Sequence, residues 1–320
     1  MKKIDEIANT NIGISINSNY IIFEQDGNVL KYNLADSSKQ FLFKSDFKTH
    51  TVQEIDNSIY LIGSKGVKEY RGGRFNIIER SIGDYSIYSK RFIYSSLDYD
   101  YENHLSKSGC IDIITNDVVW SGEFGENLKS KNGNTFSISS SKLAKRNQQT
   151  GEVQWEFKFN KTNYIPNLYI GNNYSLLAIA ERNLLICFNN ITGIKLWEQE
   201  TIPRGIVMDD LTDTFHQLMI NYNCFSLVDG SLVKQKNDRD YFQHIGIENQ
   251  KDNYIQLGNT LLINDSTTRI TGKFSIDDLQ FEWTEKGLSI PEGYKMKKNE
   301  KYVFLVDSNK TLNIYEWKTG

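Results

Sequence analysis

Apolar residues occur along this chain in short runs separated by turn-forming residues. Residues 20–23, 58–61, 184–187 and 302–306 are such runs, and they are rich in Ile, Tyr, Val and Phe, the residue types that favour extended strands. No long segment shows the helical period of 3.6 residues. The pattern therefore predicts an all-β chain built from many short strands.

One turn motif recurs between these predicted strands. Its pattern is Asp/Asn-x-x-Thr/Asp-Gly/Asn/Ser-x-x-x-Trp/Phe, and residues 112–120 and 189–197 match it without gaps. Asp and Asn side chains bond nearby backbone amides, and Gly or Asn accepts a positive φ, so the first half predicts a tight hairpin turn. The aromatic residue would start the next strand and pack against a neighbouring unit. Further copies end at Trp155 and Phe41, and one has Lys234 in place of the aromatic residue.

The turn position of this motif returns about every 40 residues. A repeat of this length with four short strands is typical of a propeller blade. We therefore predict a single β-propeller domain over residues 1–320 with eight four-stranded blades. Seven blades is the alternative, because two of the units match the motif loosely, those at Gly73 and Asp278. The turn positions are Ser37, Gly73, Asn116, Gly151, Gly193, Gly230, Asp278 and Gly320.

The last predicted unit ends before its outermost strand. Residues 3–7 at the N-terminus are predicted to supply that strand. This pairing would close the propeller and remove the unpaired sheet edge that otherwise promotes aggregation.

The repeated motif resembles the tryptophan-docking motif of the quinoprotein-like propellers, the PQQ-like repeat fold. The copies ending at Trp120, Trp155 and Trp197 match best, although Cys110, Lys145 and Cys187 stand where the family has Ala. The resemblance implies an eight-bladed propeller whose tryptophans dock between blades. Dehydrogenases of the family bind pyrroloquinoline quinone with a disulfide between adjacent cysteines, a calcium ion and a catalytic aspartate. The family also includes an outer-membrane assembly lipoprotein that serves as a protein-binding scaffold.

Features of the quinone site are missing from this sequence. It has no adjacent cysteine pair, and no aspartate can be placed by motif as the catalytic one. The resemblance therefore implies a noncatalytic member of the family, and we expect no cofactor.

Charge and composition narrow the class of partner and the compartment. The formal net charge is −3, from 37 Lys plus Arg and 40 Asp plus Glu, which argues against nucleic acid or an anionic membrane as the main partner. No run of about 18 apolar residues and no signal-peptide pattern is found. Three cysteines leave at least one unpaired, which suits a reducing compartment. We expect a cytoplasmic, bacterial and monomeric protein.

Motifs for catalysis or metal binding are not found in the sequence. Glycine-serine patterns of a nucleophile elbow are missing, and the four histidines do not form a metal-ligand spacing. The cysteines occupy one repeat position in different units, so we interpret them as small buried hydrophobes rather than a disulfide or metal site. The histidines are His50, His104, His216 and His244, and the cysteines are Cys110, Cys187 and Cys224.

Two features suggest a binding face. Residues 97–104 form a predicted loop that is longer than a tight turn requires, and its acids could hold Ca²⁺ or its tyrosines could contact a partner. All three prolines fall in connections from one predicted blade to the next, which share a propeller face with that loop. Loops so placed usually carry binding. The predicted partner-binding residues are Tyr99, Tyr101, Tyr164, Arg204, Arg239, Tyr241 and Tyr294, and the prolines are Pro166, Pro203 and Pro291.

These features favour a noncatalytic scaffold that binds another protein. A sharper form of this hypothesis is an immunity protein that neutralises a toxin or effector domain. The alternative is a glycan-acting hydrolase or lyase with acids at the propeller axis, for which Asp209, Asp210 and Asp213 are the densest carboxylate cluster. A small-ligand sensor that uses the axial channel is a third hypothesis.

Overall fold

The structure is a computed structural model of the 320-residue chain. It describes the chain apart from residues 11–12, 46–48, 56, 64–65, 79–84, 88–91, 104, 113–114, 116, 132, 202–204, 211, 219–221, 237–253, 266, 288–295 and 318–320.

Short β-strands account for nearly all the regular structure of the described residues. The first sixteen are β1 (Lys2–Ile7), β2 (Ser15–Ile16), β3 (Tyr20–Gln25), β4 (Asn28–Asn33), β5 (Lys39–Lys44), β6 (Thr49–Ile55), β7 (Ser58–Gly63), β8 (Gly66–Arg71), β9 (Arg74–Ile78), β10 (Tyr85–Ile87), β11 (Phe92–Asp100), β12 (Leu105–Asp112), β13 (Asp117–Phe124), β14 (Asn127–Lys131), β15 (Asn134–Ile138) and β16 (Lys142–Arg146). The others are β17 (Val153–Lys158), β18 (Asn167–Ile170), β19 (Tyr174–Ile179), β20 (Leu184–Asn189), β21 (Lys195–Glu200), β22 (Ile206–Asp209), β23 (Thr214–Leu218), β24 (Tyr222–Ser226), β25 (Leu232–Lys236), β26 (Tyr254–Leu257), β27 (Thr260–Asp265), β28 (Ile270–Ser275), β29 (Gln280–Lys286), β30 (Lys297–Lys298), β31 (Tyr302–Val306) and β32 (Leu312–Glu316).

The described strands form eight four-stranded antiparallel sheets. Seven of them are consecutive meanders, which we number in chain order from sheet 1 (β2–β5) to sheet 7 (β26–β29). Sheet 8 contains β30, β31, β32 and β1. Eight sheets confirm the predicted eight units against the alternative of seven, and the loosely matching units at Gly73 and Asp278 are complete sheets.

The N-terminal strand completes the last sheet, as predicted. Strand β1 pairs antiparallel with β32, so that Lys2 lies opposite Glu316 and Ile7 opposite Leu312. Ile7 is buried in a cluster with Phe304 and Ile314. The outer edge of β32 is thereby paired rather than exposed.

The sheets fall into two compact units. The first unit contains sheets 1, 2, 7 and 8, and the second contains sheets 3, 4, 5 and 6. Within each unit the apolar core lies between neighbouring sheets, because each strand alternates its side chains between the two sheet faces. In the second unit, Phe136 of sheet 4 packs with Leu177 and Phe188 of sheet 5. In the first unit, Phe23 of sheet 1 packs with Phe304 of sheet 8.

The repeated motif forms the turn between the third and fourth strands of a sheet. In sheet 4, the Asn147 side chain accepts hydrogen bonds from the N–H groups of Gln149 and Thr150 at 2.8 and 3.1 Å. Gly151 has a φ of 74° and donates its N–H to the Asn147 carbonyl. Trp155 then lies opposite Lys145 across the strands, followed by a one-residue register shift. Cys110 and Cys187 hold the corresponding position opposite Trp120 and Trp197.

One predicted turn position was wrong by one residue. In sheet 7 the positive φ is at Leu279 (54°), rather than at Asp278. Trp283 lies opposite Lys273 and ends this copy of the motif, so its turn position is four residues earlier, at Leu279. The motif did not locate this turn correctly, because a leucine replaces the usual glycine.

Helical structure in the described part of the chain is a single 3₁₀ turn at Ala180–Arg182. Nowhere in these described segments is there a helix of the length and apolarity needed to cross a membrane.

Candidate partner-binding face

One end of the sheets in the second unit carries the described part of the predicted binding residues. In an antiparallel meander, the turn between the second and third strands lies at the same end as the connection to the next sheet. We use the name partner face for this end in sheets 3 to 5, defined by residues 97–107, 123–126, 139–142, 159–166 and 180–183.

The predicted loop over residues 97–104 is largely a hairpin. Strand β11 continues to Asp100, and β12 begins at Leu105, with a register shift between Ser96 and Asp98. The prediction of a loop was wrong because tyrosine and aspartate alternate here with the period of two that suits a strand. Only Tyr101–Asn103 and residue 104 connect the strands, and residue 104 lies outside the described residues.

The carboxylate of Asp100 caps this hairpin tip. It accepts hydrogen bonds from the N–H groups of Glu102 and Asn103 at 3.0 and 3.1 Å, and from the Asn103 side-chain amide at 2.8 Å. The bond from the Asn103 amide is the main cause that holds the pKa of Asp100 below its ordinary value. The Asp100 oxygens therefore serve the turn, and the described residues contain no cluster of three or more His, Cys, Asp or Glu suited to a metal ion.

Tyr101 projects from the hairpin tip and is 81% exposed. Tyr99 lies in β11, and its side chain is outside the described residues. At the base of the hairpin, Gly125 donates its N–H to the Ser106 carbonyl at 2.8 Å, and the Lys107 ammonium lies 5.6 Å from the centre of the Phe124 ring. The hairpin is thus attached to the connection between sheets 3 and 4.

A buried ion-pair cluster supports that connection. Glu126 is 1% exposed, and its two oxygens lie 2.8 Å from Lys142 Nζ and 2.9 Å from Arg146 Nη2. Burial alone would raise the pKa of the Glu126 carboxyl, but the ion pairs with Lys142 and Arg146 lower it below its ordinary value. Removing one partner from such a cluster leaves a buried charge uncompensated. Sequence reasoning missed Glu126, because nothing local distinguishes it from the exposed Glu123.

The connection from sheet 4 to sheet 5 is held by hydrogen bonds to two turns. The buried Thr162 donates its N–H to the Ser140 carbonyl at 2.8 Å. The Glu181 carboxylate accepts from Asn163 N–H at 3.1 Å, from the Asn163 side-chain amide at 3.2 Å and from Tyr164 N–H at 2.9 Å. Arg182 donates to the Asn160 carbonyl at 3.0 Å. The backbone of residues 160–164 is therefore fixed.

This fixed connection exposes an aromatic side chain. Tyr164 is 77% exposed, whereas Pro166 is buried at the start of the next sheet. The structure therefore places Tyr101 and Tyr164 on one face, linked through the 123–126 and 139–142 segments. The remaining predicted binding residues and prolines, which are Arg204, Arg239, Tyr241, Tyr294, Pro203 and Pro291, lie outside the described residues.

The three aspartates considered for glycan hydrolysis make different structural contacts. Asp209 is buried and accepts a hydrogen bond from Thr212 Oγ1 at 2.6 Å. Asp210 accepts from Asn172 N–H at 2.7 Å and lies 3.4 Å from Lys131 Nζ. Asp213 accepts from the Asn173 side-chain amide at 3.5 Å. Two of these contacts join sheet 6 to sheet 5, so the carboxylates act there as links between turns.

The cysteines are free and buried, as predicted. Burial raises the pKa of Cys110 and Cys187 to about 12, which fits their interpretation as small apolar residues. Cys224 differs, because it lies opposite His216 in a polar cluster. Burial opposes ionisation of both side chains, but the interaction with His216 lowers the pKa of Cys224, and Asp209 and Cys224 raise the pKa of His216. His216 Nδ1 also lies 3.0 Å from the Tyr222 hydroxyl.

Comparison with known proteins identifies the fold. No protein-family model matches the sequence, and no curated protein matches it either. Among solved structures, BamB from Moraxella catarrhalis is similar with a TM-score of 0.70 and 11% identity, covering 98% of this chain and 99% of that one. The computationally designed Ika8 protein gives 0.67 and 11%, covering 98% of each chain. Sqt1 from Saccharomyces cerevisiae gives 0.65 and 9%, covering 99% of each. The chain is a β-propeller of eight four-stranded blades.

Proposed function

We propose that this propeller is a noncatalytic scaffold that binds another protein through the partner face. The observation that carries the proposal is Tyr164, a large exposed side chain on a backbone held by Glu181, Arg182 and Ser140. Tyrosine is enriched among residues that dominate binding energy, because it contributes a large contact area with few rotatable bonds.

The Tyr101 hairpin supports the same proposal. Its tip is ordered by Asp100 and exposes Tyr101, so the face carries two aromatic side chains on short, internally bonded segments. Exposed aromatic side chains are suited to a protein partner, whereas a small ligand needs a concave pocket.

We further propose that the protein acts as a cytoplasmic, monomeric immunity protein of bacterial origin within the PQQ-like repeat group. In this role it would bind a toxin or effector domain and cover the surface that the toxin needs. The net charge of −3 agrees with a partner other than nucleic acid.

The first test is affinity capture from the native cell with the tagged protein as bait. The bait is compared with a double variant, Tyr101→Ala with Tyr164→Ala, and with Ile191→Ala as a matched control. Ile191 is 78% exposed in the turn between β20 and β21, at the opposite end of sheet 5. We expect one stoichiometric protein with the native bait and the control, and its loss with the double variant.

The identity of the captured protein tests the immunity role. A toxin would arrest growth when expressed alone, and co-expression of the native propeller would restore growth where the double variant does not. Size-exclusion chromatography with light scattering gives the stoichiometry of the free protein and the complex. Failure to retain any protein under mild conditions would contradict the scaffold function.

A further inference from the structure

The 160–166 connection combines a fixed backbone with an exposed side chain. Tyr164 N–H donates to Glu181 Oε1 at 2.9 Å, and Asn163 donates twice to Glu181 Oε2. These three bonds join the connection to the 3₁₀ turn at Ala180–Arg182, which belongs to the next sheet. A segment that already has its bound conformation loses less entropy on association than a mobile one.

The other side of the connection is tied to the sheet that precedes it. Thr162 donates its N–H to the Ser140 carbonyl at 2.8 Å, and its hydroxyl lies 2.8 Å from the same carbonyl and 2.6 Å from the Tyr164 carbonyl. Arg182, in the same turn as Glu181, donates to the Asn160 carbonyl at 3.0 Å. Residues 160–164 are thus held between two turns, and the Tyr164 ring is the large exposed group that this arrangement presents.

Positive side chains outnumber negative ones next to Tyr164. Lys161 lies three residues before Tyr164, and Arg182 directly follows Glu181. Both are exposed cations. The carboxylate of Glu181 accepts three N–H donors of the connection, and the nearby Lys158 is balanced by Glu156 at 3.2 Å. Lys161 and Arg182 against the single carboxylate of Glu181 leave a formal charge of +1 around the connection, which carboxylates on a partner would complement.

We propose that the 160–166 connection is a preformed anchor, held by Glu181 and Arg182, that inserts Tyr164 into an apolar pocket bordered by carboxylates on a protein partner. This inference rests on the proposed function, because it assumes a protein partner on this face. Glu181 acts as a positioning residue, and Tyr164 makes the contact.

The test measures the affinity of the protein captured with the native bait for five variants of the full chain. Y164A should weaken binding by about 30-fold or more, mainly through faster dissociation. K161E should weaken it by about 5-fold at low salt, and this difference should shrink in about 0.5 M salt, which screens surface charges. I191A, the control with equal exposure at the opposite end of the sheet, should stay within about 2-fold.

The E181A variant separates positioning from contact, because it leaves the Tyr164 side chain in place. Amide hydrogen exchange at Asn163 and Tyr164 should become about 10-fold faster or more, and partner affinity should fall by about 5-fold. E181Q keeps an acceptor oxygen, so it should partly restore both the slow amide exchange and the partner affinity. The melting temperature should change little, since Glu181 is exposed.

Each failure has a distinct meaning. A partner that binds Y164A as tightly as the native protein overturns the anchor and leaves the scaffold function intact. Unchanged exchange in E181A, or faster exchange with native affinity, overturns the positioning role. Tighter binding by K161E contradicts the acidic border of the pocket. If the native bait retains no protein, the scaffold function and this inference both fail.

Discussion

The two units join their sheets with different chemistry. In the second unit, three tryptophans repeat one contact: each indole N–H donates to a carbonyl in the turn of the next sheet, and the ring covers the glycine of that turn. The bonds are Trp120 to Gln148, Trp155 to Asn190 and Trp197 to Leu227, at 3.2, 3.1 and 2.8 Å, and the covered glycines are Gly151, Gly193 and Gly230.

The first unit reaches the same strand geometry by other contacts. Between sheets 8 and 1, the Tyr32 hydroxyl bonds to the Asp5 carboxylate and to Ser37 Oγ, and Ser37 holds the turn position with a φ of 59°. Between sheets 1 and 2, Phe41 at the motif's aromatic position is 58% exposed, and Phe43 packs on Tyr70 instead. The tryptophan contact is therefore one of several ways to join neighbouring sheets.

Among the changes that test this difference between the units, removal of residues 1–8 should lower the free energy of unfolding most. It deletes β1, leaves the buried Tyr32 hydroxyl without Asp5 and exposes the edge of β32. We expect a loss of about 3 to 6 kcal/mol in the free energy of unfolding and aggregation through the open edge. Denaturant unfolding and light scattering measure both effects. A truncated protein that stays monomeric and equally stable would show that β1 is dispensable.

The Trp155→Ala variant tests the repeated contact of the second unit. The indole packs on Phe136 and Phe188 and bonds the Asn190 carbonyl, so its loss should reduce the free energy of unfolding by about 3 kcal/mol. Phe41→Ala, at the same motif position in the first unit, should cost less than about 1 kcal/mol, because that ring is mostly exposed. Equal losses in the two variants would contradict the difference between the units.

Gly193→Ala tests the turn beneath the indole ring. An added Cβ would lie 2.5 Å from Trp155 Cγ, and the φ of 71° also disfavours alanine. Gly133→Ala is the matched control, because its φ is 79° and nothing lies near its Cβ position. We expect about 1 kcal/mol of strain in the control and about 1 to 2 kcal/mol more in Gly193→Ala. If thermal unfolding showed the same loss of stability in both variants, the contact between the Trp155 ring and this turn would be refuted.

The smallest effect is expected from the pH dependence of the first unit. Burial and the Asp5 hydrogen bond raise the pKa of Tyr32 to about 12. The stability contributed by neutral Tyr32 is present below the unfolded pKa near 10 and is lost as the pH rises toward 12, which amounts to about 1 kcal/mol at pH 11. Tyr32→Phe should be less stable than the native protein at pH 8 but should lose less between pH 9 and 11. Parallel profiles for the two proteins would contradict this role of Tyr32.

Contacts close in sequence were predictable from the residues alone. The Asn147 and Asn189 turns use side chains that bond amides two and three residues later, so a nine-residue pattern identifies them. The same pattern gave the strand positions, the eight units and the pairing of the N-terminal strand with the last sheet. It succeeded most clearly in sheets 3, 4 and 5, where the motif keeps both its tryptophan and a glycine or asparagine at the turn. It misplaced the turn of sheet 7, where Trp283 is kept but Leu279 replaces glycine.

Contacts between sheets required the tertiary structure. Glu126 meets Arg146 across 20 residues, Glu181 meets Asn163 across 18, and Lys131 meets Asp210 across 79. No local pattern marks these residues, because their partners depend on which side chains neighbouring sheets bring together. The sequence by itself determined the strands, the turns and the number of units, since hydrophobic alternation and turn chemistry act over a few residues. Only the tertiary structure decided which exposed tyrosine has a fixed backbone, since that backbone is held by the Glu181 and Arg182 side chains of one turn and by the Ser140 carbonyl of another.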